Sequence, residues 1–115
     1  EPAGADDAAQ SLESGELQDD ITPDTICDGL RATIGPQTFA VIRRGVARIL
    51  TVDDNLTLGA MRELWHRMKI VVEPSCAVTL AVILKYKHLF SEQRVGVVLS
   101  GGNVDLDNLP WSAPG

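Results

Sequence analysis

Arg94-Val95-Gly96-Val97-Val98-Leu99-Ser100-Gly101-Gly102-Asn103 is the stretch on which the fold turns. Its first six residues form the continuous apolar run of a strand covered on both faces, and its last four are the polar, glycine-paired turn that ends such a strand. Covered strands require helices beside them. Cys76 to Leu84 is apolar nearly all round, as expected of a helix buried on most sides, and Glu73-Pro74-Ser75 opens it with a proline in the first turn. A short apolar strand, Ile70-Val71-Val72, comes before it. The clearest helix precedes that strand. Leu58, Met61, Leu64, Trp65 and Met68 recur at steps of three and four and share one face, while Arg62, Glu63, His66 and Arg67 face away. Asp53 and Asp54 offer N-cap oxygens for this helix, and Gly59 inside it, costing about 1 kcal/mol relative to alanine, suggests close packing there.

Farther out, the pattern alternates in the same way. A strand is expected at Arg48-Ile49-Leu50-Thr51-Val52 and a helix from Gln37 to Val46. From Glu16 to Pro36, punctuated by Pro23, Gly29 and Gly35, the chain reads as a long loop broken by one short apolar element at Thr25-Ile26-Cys27. Residues 3 to 14 are alanine-rich with acids in the first turn, which suits a helix that Gly15 ends. The whole is an α/β arrangement, helices packed on a mostly parallel sheet.

Ten basic against sixteen acidic side chains give a net charge of −6, which argues against a nucleic-acid partner. No run of about 18 apolar residues is present, and Glu1-Pro2-Ala3 has neither the basic nor the apolar region of a signal peptide, so a soluble cytoplasmic protein without a membrane partner is expected. Cys27 and Cys76 stand in unrelated contexts, and His66 and His88 lack a partner at metal spacing. They are read as packed or surface side chains rather than zinc ligands. No nucleophilic triad and no phosphate-cradling Gly-x-x-x-x-Gly-Lys stretch occurs.

Two polar clusters fall beyond strand ends, where open α/β sheets bind ligands: Glu73-Pro74-Ser75 and Ser100-Gly101-Gly102-Asn103. Paired glycines admit close backbone approach, and a serine hydroxyl can donate to or accept from a heterocyclic nitrogen; a plain tight turn is the alternative. Glu1, Asp6 and Asp7 place three carboxylates within seven residues, either as oxygen ligands for Mg²⁺ or Ca²⁺ or as a solvated helix N-terminus.

Five blocks, taken in order, carry a family likeness: Glu1-Pro2-x-x-Ala5-Asp6-Asp7, Thr25-Ile26-Cys27-Asp28-Gly29-Leu30, Trp65-His66-Arg67-Met68-Lys69, Glu73-Pro74-Ser75, and Val97 to Leu106 through the Ser100-Gly101-Gly102-Asn103 turn. They resemble the C-terminal part of the serine racemases and their relatives, the threonine/serine dehydratases and threo-3-hydroxyaspartate ammonia-lyases, which are fold-type II pyridoxal phosphate (PLP) enzymes. The likeness covers nearly the whole chain. It implies that residues 1–115 are a C-terminal portion of the large PLP-binding catalytic domain, with no regulatory domain after it. It also implies a homodimer when the parent chain is complete, acting on a small hydroxy amino acid.

The resemblance assigns roles residue by residue. Ser100 is similar to the serine that hydrogen-bonds the pyridine nitrogen of PLP, Gly29 and Gly101 place their backbone against the cofactor, and Glu73 belongs to the shell around the ring. Glu1, the Ala5 carbonyl and Asp7 match the three ligands of a structural or activating divalent cation, Mg²⁺ or Ca²⁺. Lys69 and Asn103 match nucleotide-contacting positions of the ATP-activated racemases. Ala32 stands where a racemase has a substrate-holding serine, which shifts the expected balance towards dehydration. No catalytic residue is assigned within the chain: Lys69, Lys85 and Lys87 do not match the cofactor-bearing lysine, whose block precedes Glu1 in the family. The implied activity of the parent is β-elimination of L-serine, L-threonine or 3-hydroxyaspartate to ammonia and a keto acid, with serine racemisation as a companion. These 115 residues alone are not expected to turn over. The alternative is a non-catalytic module that binds a cation or anion, against which the uniformly apolar 76–84 helix argues.

Overall fold

The computed structural model describes residues 1–112, so the last three positions of the expected 1–115 domain lie outside the described residues. Two units divide the chain at Asp54.

In the first, Pro2 to Gly4 lead into helix α1 (Asp7–Ser14), a 3₁₀ turn spans Asp28–Leu30, and helix α2 spans Pro36–Gly45. α1 starts later than the alanine-rich composition suggests, because the chain first folds a turn in which the Ala5 amide donates to the Pro2 carbonyl (3.0 Å). It ends where expected: Gly15 takes φ 79°, a left-handed cap that glycine adopts without a Cβ penalty, and its N–H returns to the Ser11 carbonyl. α2 has Pro36 in its first turn, where the missing N–H leaves no bond unmade, and it packs on α1. Phe39 is its buried side chain, and the Arg43 guanidinium sits 5.5 Å from the Phe39 ring centroid. Pro2, Ala5, Ala8, Cys27 and Val52 fill the interior of this unit.

Helix α3 (Asp54–Met68) leads into the second unit and is followed by α4 (Pro74–Lys85) and a 3₁₀ turn at Lys87–Leu89. The core gathers Met61 and Leu64 of α3, Val72 of the connection, and Cys76 and Ala77 of α4. Leu58, Trp65, Ile70, Leu80, Leu99, Val104 and Trp111 pack round it. Trp65 meets Trp111 edge to face at 5.3 Å and donates its indole N–H to the Val72 carbonyl (2.9 Å). Met68, assigned to the same face by spacing, is 58% exposed, because the helix ends with it and Lys69 turns the chain away at a φ of 57°. Gly59 has nothing within 4 Å of where a Cβ would stand, so packing does not account for it. α4 is buried along Cys76, Ala77, Val78 and Ala81 but exposes Leu84, so the apolar helix is covered on one side here, not on most.

The expected sheet does not form among the described residues. Arg48–Val52 contributes one isolated parallel bridge, Val52 to Pro2, flanked by bonds from the Glu1 nitrogen to the Leu50 carbonyl (2.7 Å), from Val52 N to Glu1 O (3.0 Å) and from Ala3 N to Val52 O (2.8 Å). Ile70–Val72 and Arg94–Leu99 carry no regular secondary structure, and Val95, Val97 and Val98 are exposed. The reason is physical. A strand is stable only with hydrogen-bonding neighbours on its edges, and an apolar hexapeptide without them keeps strand-like sequence but no strand.

Cys27 is wholly buried, and burial pushes its thiol above the ordinary range, with the Thr25 hydroxyl opposing and the Asp54 charge reinforcing. A thiol with a raised folded value holds its proton more tightly folded than unfolded. Its contribution to stability is therefore full below the ordinary value, about 8.5, and is lost as pH rises through and beyond it. Cys27 is expected to resist alkylation at neutral pH until the protein unfolds, which labelling across a urea titration with mass mapping would check; labelling in the native baseline would contradict it.

Candidate functional site

Within the first unit the three residues expected to hold a cation surround the start of α1. Its N-cap, Asp6, makes no capping bond; its carboxylate accepts instead from the Gln10 side chain (2.7 Å). Glu1 performs that task from outside the helix, Oε2 accepting from the Ala9 N–H at 2.8 Å, so a first-turn donor is satisfied by a distant carboxylate. Asp7 is 2% exposed, and its Oδ2 accepts from the Ile34 N–H at 2.7 Å. The Glu1 carboxylate is also drawn on by the Ala8 N–H, whereas Asp7 Oδ1 and the Ala5 carbonyl have no hydrogen bond to a described residue. Burial raises the Glu1 carboxyl above its usual range, and the Asp7 charge adds to the rise while the Ala9 N–H opposes it. Two carboxylates that repel each other beside a carbonyl form a donor set of hard oxygens. No group of three or more His, Cys, Asp or Glu side chains is placed to hold a metal among the described residues, so any cation here must draw on a main-chain oxygen.

Gly29 lies at the exposed middle of the 28–30 turn. Beneath it the backbone is tied at Thr25, 5% exposed, whose hydroxyl donates to Asp54 Oδ1 at 2.6 Å and accepts from the Cys27 N–H at 3.2 Å. The Ile26 N–H donates to Asp54 Oδ2 (2.9 Å), and the Arg31 guanidinium grips the Thr25 carbonyl through Nε (3.0 Å) and Nη2 (2.7 Å). Asp54, expected to cap its own helix from outside, is instead the first residue of α3, and its carboxylate is turned to the 25–26 backbone. Nothing local in the sequence announces this bond, because its partners are 29 and 28 residues apart.

In the second unit the two polar clusters meet. Glu73 N donates to Gly101 O (3.1 Å), Cys76 Sγ donates to the same carbonyl (3.3 Å), and Asn103 N makes a long bond to Glu73 Oε1 (3.5 Å). The approach is close at both glycines, and at Gly102 the neighbour is main chain and cannot swing away. A Cβ on Gly101 would overlap the Glu73 carboxylate, and one on Gly102 would stand 2.8 Å from the Val71 carbonyl oxygen. The Cβ side of the glycine pair, read from sequence as room for a ligand, is occupied by the 71–73 segment. Ser100 is exposed, follows the 94–99 segment and makes no hydrogen bond to any described residue. Lys69, just past the end of α3, is exposed in the left-handed region, its N–H bonded to the Trp65 carbonyl at 3.1 Å.

Each unit by itself offers a feature that a pyridoxal cofactor can use: in the second, the Ser100 hydroxyl can bond a pyridine nitrogen without carrying charge, and in the first, Gly29 presents exposed backbone without a side chain.

Residues 1–101 match the family described as pyridoxal-phosphate dependent enzyme. The chain is 44% identical over 112 residues to the beta-hydroxyaspartate dehydratase of Paracoccus denitrificans, covering 97% of this chain and 36% of that protein. It is 45% identical over 113 residues to the serine racemase of Dictyostelium discoideum, covering 95% and 35%. Among solved structures, maize serine racemase superimposes with a TM-score of 0.86 at 42% identity, covering 92% of this chain and 34% of the other, and a T.th. threonine deaminase with 0.84 at 40%, covering 90% and 34%. The chain thus spans about a third of the length of these relatives, whose fold-type II architecture it shares in that part. No helix among the described residues is long and apolar enough to cross a membrane. By a match that runs over all but its last residues, the chain belongs to the pyridoxal-phosphate-dependent enzymes.

Proposed function

We propose that the parent protein is a PLP-dependent ammonia-lyase that dehydrates and deaminates a small hydroxy amino acid such as L-serine, L-threonine or 3-hydroxyaspartate, with serine racemisation as a companion activity. The observation that carries it is the Ser100 hydroxyl, without a hydrogen bond among the described residues and held on a turn that Glu73 and Cys76 fix through the Gly101 carbonyl. PLP supplies, when bound, the electron-withdrawing ring that makes the α-hydrogen of an amino acid acidic. Ser100 bonds the ring nitrogen without carrying charge and so does not favour its protonation, which suits loss of a β-hydroxyl and α-proton exchange. Gly29 and Gly101 bring bare backbone to the cofactor, and Glu73 holds the turn beside it. The lysine that carries the cofactor and moves the α-proton belongs to the parent outside these residues, as does most of the substrate pocket. The 48–52, 70–72 and 94–99 segments take their places in a mostly parallel sheet with strands of the parent, where apolar side chains such as Val98, 77% exposed here, are covered. The parent is a cytoplasmic homodimer, and Lys69 and Asn103 contribute to an ATP site.

Ser100→Ala in the full-length protein is expected to weaken PLP binding about 10-fold, the worth of one hydrogen bond in a closed site. Titration of the cofactor-free protein by visible absorbance measures it, and an unchanged dissociation constant would remove Ser100 from the site. Borohydride treatment decides between enzyme and binding module: an enzyme of this class is left with cofactor fixed on one lysine, whereas a module that binds only a cation or anion gains no mass.

Glu1, the Ala5 carbonyl and Asp7 hold Mg²⁺ or Ca²⁺, whose charge relieves the repulsion between the two carboxylates and ties α1 to the turn before it. Asp7→Asn keeps an acceptor for the Ile34 N–H but removes a charge. Cation affinity is expected to fall by about 10- to 100-fold. The rise in melting temperature that millimolar Mg²⁺ or Ca²⁺ gives the parent should vanish in the variant; an equal rise in both would rule out Asp7 as a ligand.

A further inference from the structure

We propose that Thr25, clamped between the Asp54 carboxylate and the Arg31 guanidinium, is a positioning residue that sets where the backbone of Gly29 stands against the cofactor. This rests on the reading above that Gly29 faces PLP.

The bonds that tie the base of the 25–31 loop converge on Thr25 and on Ile26 beside it. Its hydroxyl works twice, donating to Asp54 Oδ1 (2.6 Å) and accepting from Cys27 N (3.2 Å), so one side chain ties the loop to the start of α3 and fixes the entrance to the turn. Its carbonyl is held from the other side by both arms of Arg31 (3.0 and 2.7 Å), a planar fork that defines direction as well as distance. Two further backbone bonds, Asp28 N to Ile26 O (3.0 Å) and Leu30 N to Cys27 O (2.9 Å), carry that placement up to the turn. The burial gradient agrees: Thr25 and Cys27 are buried, whereas Asp28 and Gly29 are exposed above them. A loop needing only to connect α1 to α2 would not require a carboxyl group, a hydroxyl and a guanidinium all spent on one residue. A surface that must meet a rigid ring within a few tenths of an ångström does need such support, since a loosely held first contact is what most often weakens a binding site.

The test uses the full-length holoenzyme carrying this segment. Thr25→Val preserves shape and removes the hydroxyl; Thr25→Ser preserves the hydroxyl. PLP dissociation, the visible circular dichroism of bound PLP, and amide hydrogen exchange at Asp28 and Gly29 in the cofactor-free protein are measured for each. Thr25→Val is expected to raise the PLP dissociation constant about 10-fold, alter the dichroism and speed exchange, with Thr25→Ser restoring all three. Arg31→Lys, a change at an exposed side chain, loses the fork and should move the same readouts in the same direction by about 3-fold, which keeps the proposal testable if Thr25→Val fails to fold. Faster exchange at Gly29 with unchanged PLP binding and dichroism would overturn the positioning role. Gly29→Val separates the two levels. If it weakens PLP while neither Thr25→Val nor Arg31→Lys does, positioning fails and the Gly29 reading stands; if it leaves PLP untouched, the Gly29 reading fails and the proposal falls with it.

Discussion

Gly4→Ala is expected to lower stability by about 3 kcal/mol and to abolish cation-dependent stabilisation with it. The amide of Asp24 donates to the Gly4 carbonyl at 2.8 Å, and this pairing draws the two backbones so close that a Cβ on residue 4 would overlap the Asp24 carbonyl oxygen. Both sides of the clash are main chain, so no rotamer can relieve it. The backbone must separate, and Gly4 sits between Glu1 and Asp7 with the Ala5 carbonyl next to it, so the displacement moves a proposed cation ligand directly. Urea unfolding with and without Mg²⁺ measures both effects. Gly59→Ala is the control: Gly59 is exposed inside α3 with nothing near its Cβ direction, and alanine there should stabilise by about 1 kcal/mol. A Gly4→Ala protein as stable as its parent, and still responsive to Mg²⁺, would mean that the 4–24 approach is not tight in solution.

What could be read from the sequence were the features decided within a few residues of themselves. Gly15 stops α1, Pro36 and Pro74 open α2 and α4, and Met61, Leu64 and Trp65 share the inner face of α3, because capping and helical periodicity act over one or two turns. Sheet formation is different in kind. The 94–99 run is strand-like in composition, but its ladder depends on partners that composition does not name, and among the described residues it has none. The same distinction runs through the candidate site. Ser100 and the glycine pair stand out as a polar turn after an apolar run, yet that Gly101 and Gly102 make room for Glu73 and Val71 is a contact across some thirty residues. Glu1 as the outside cap of α1, and the Asp54–Thr25–Arg31 clamp, are of this second type: ordinary residues whose importance lies in a partner far along the chain.

Met61→Ala is expected to cost about 3 kcal/mol, within the range of about 2–5 measured for emptying a buried site of this size. Met61 is fully buried at the centre of the second unit's cluster, with Leu64, Val72, Cys76 and Ala77 and the flanking Trp65, Leu99, Val104 and Trp111. The loss should exceed the simple transfer term, because the two indoles form one wall of the cluster in a fixed edge-to-face pair and cannot collapse into the space without giving up that geometry. Met61→Leu conserves volume and should cost less than about 1.5 kcal/mol. The pair of variants also tests how the core reaches the site. Leu99 and Val104 bracket the Ser100 turn and pack on this cluster, so a cavity beneath them loosens the turn whose Ser100 hydroxyl is proposed to meet the ring nitrogen. In the full-length protein Met61→Ala should therefore weaken PLP binding and dim the near-ultraviolet dichroism of Trp65 and Trp111, while Met61→Leu leaves both near their original values. Destabilisation without any change in cofactor affinity would show that the Glu73 and Cys76 bonds to the Gly101 carbonyl hold the turn without help from the core; no destabilisation at all would mean that the cluster refills.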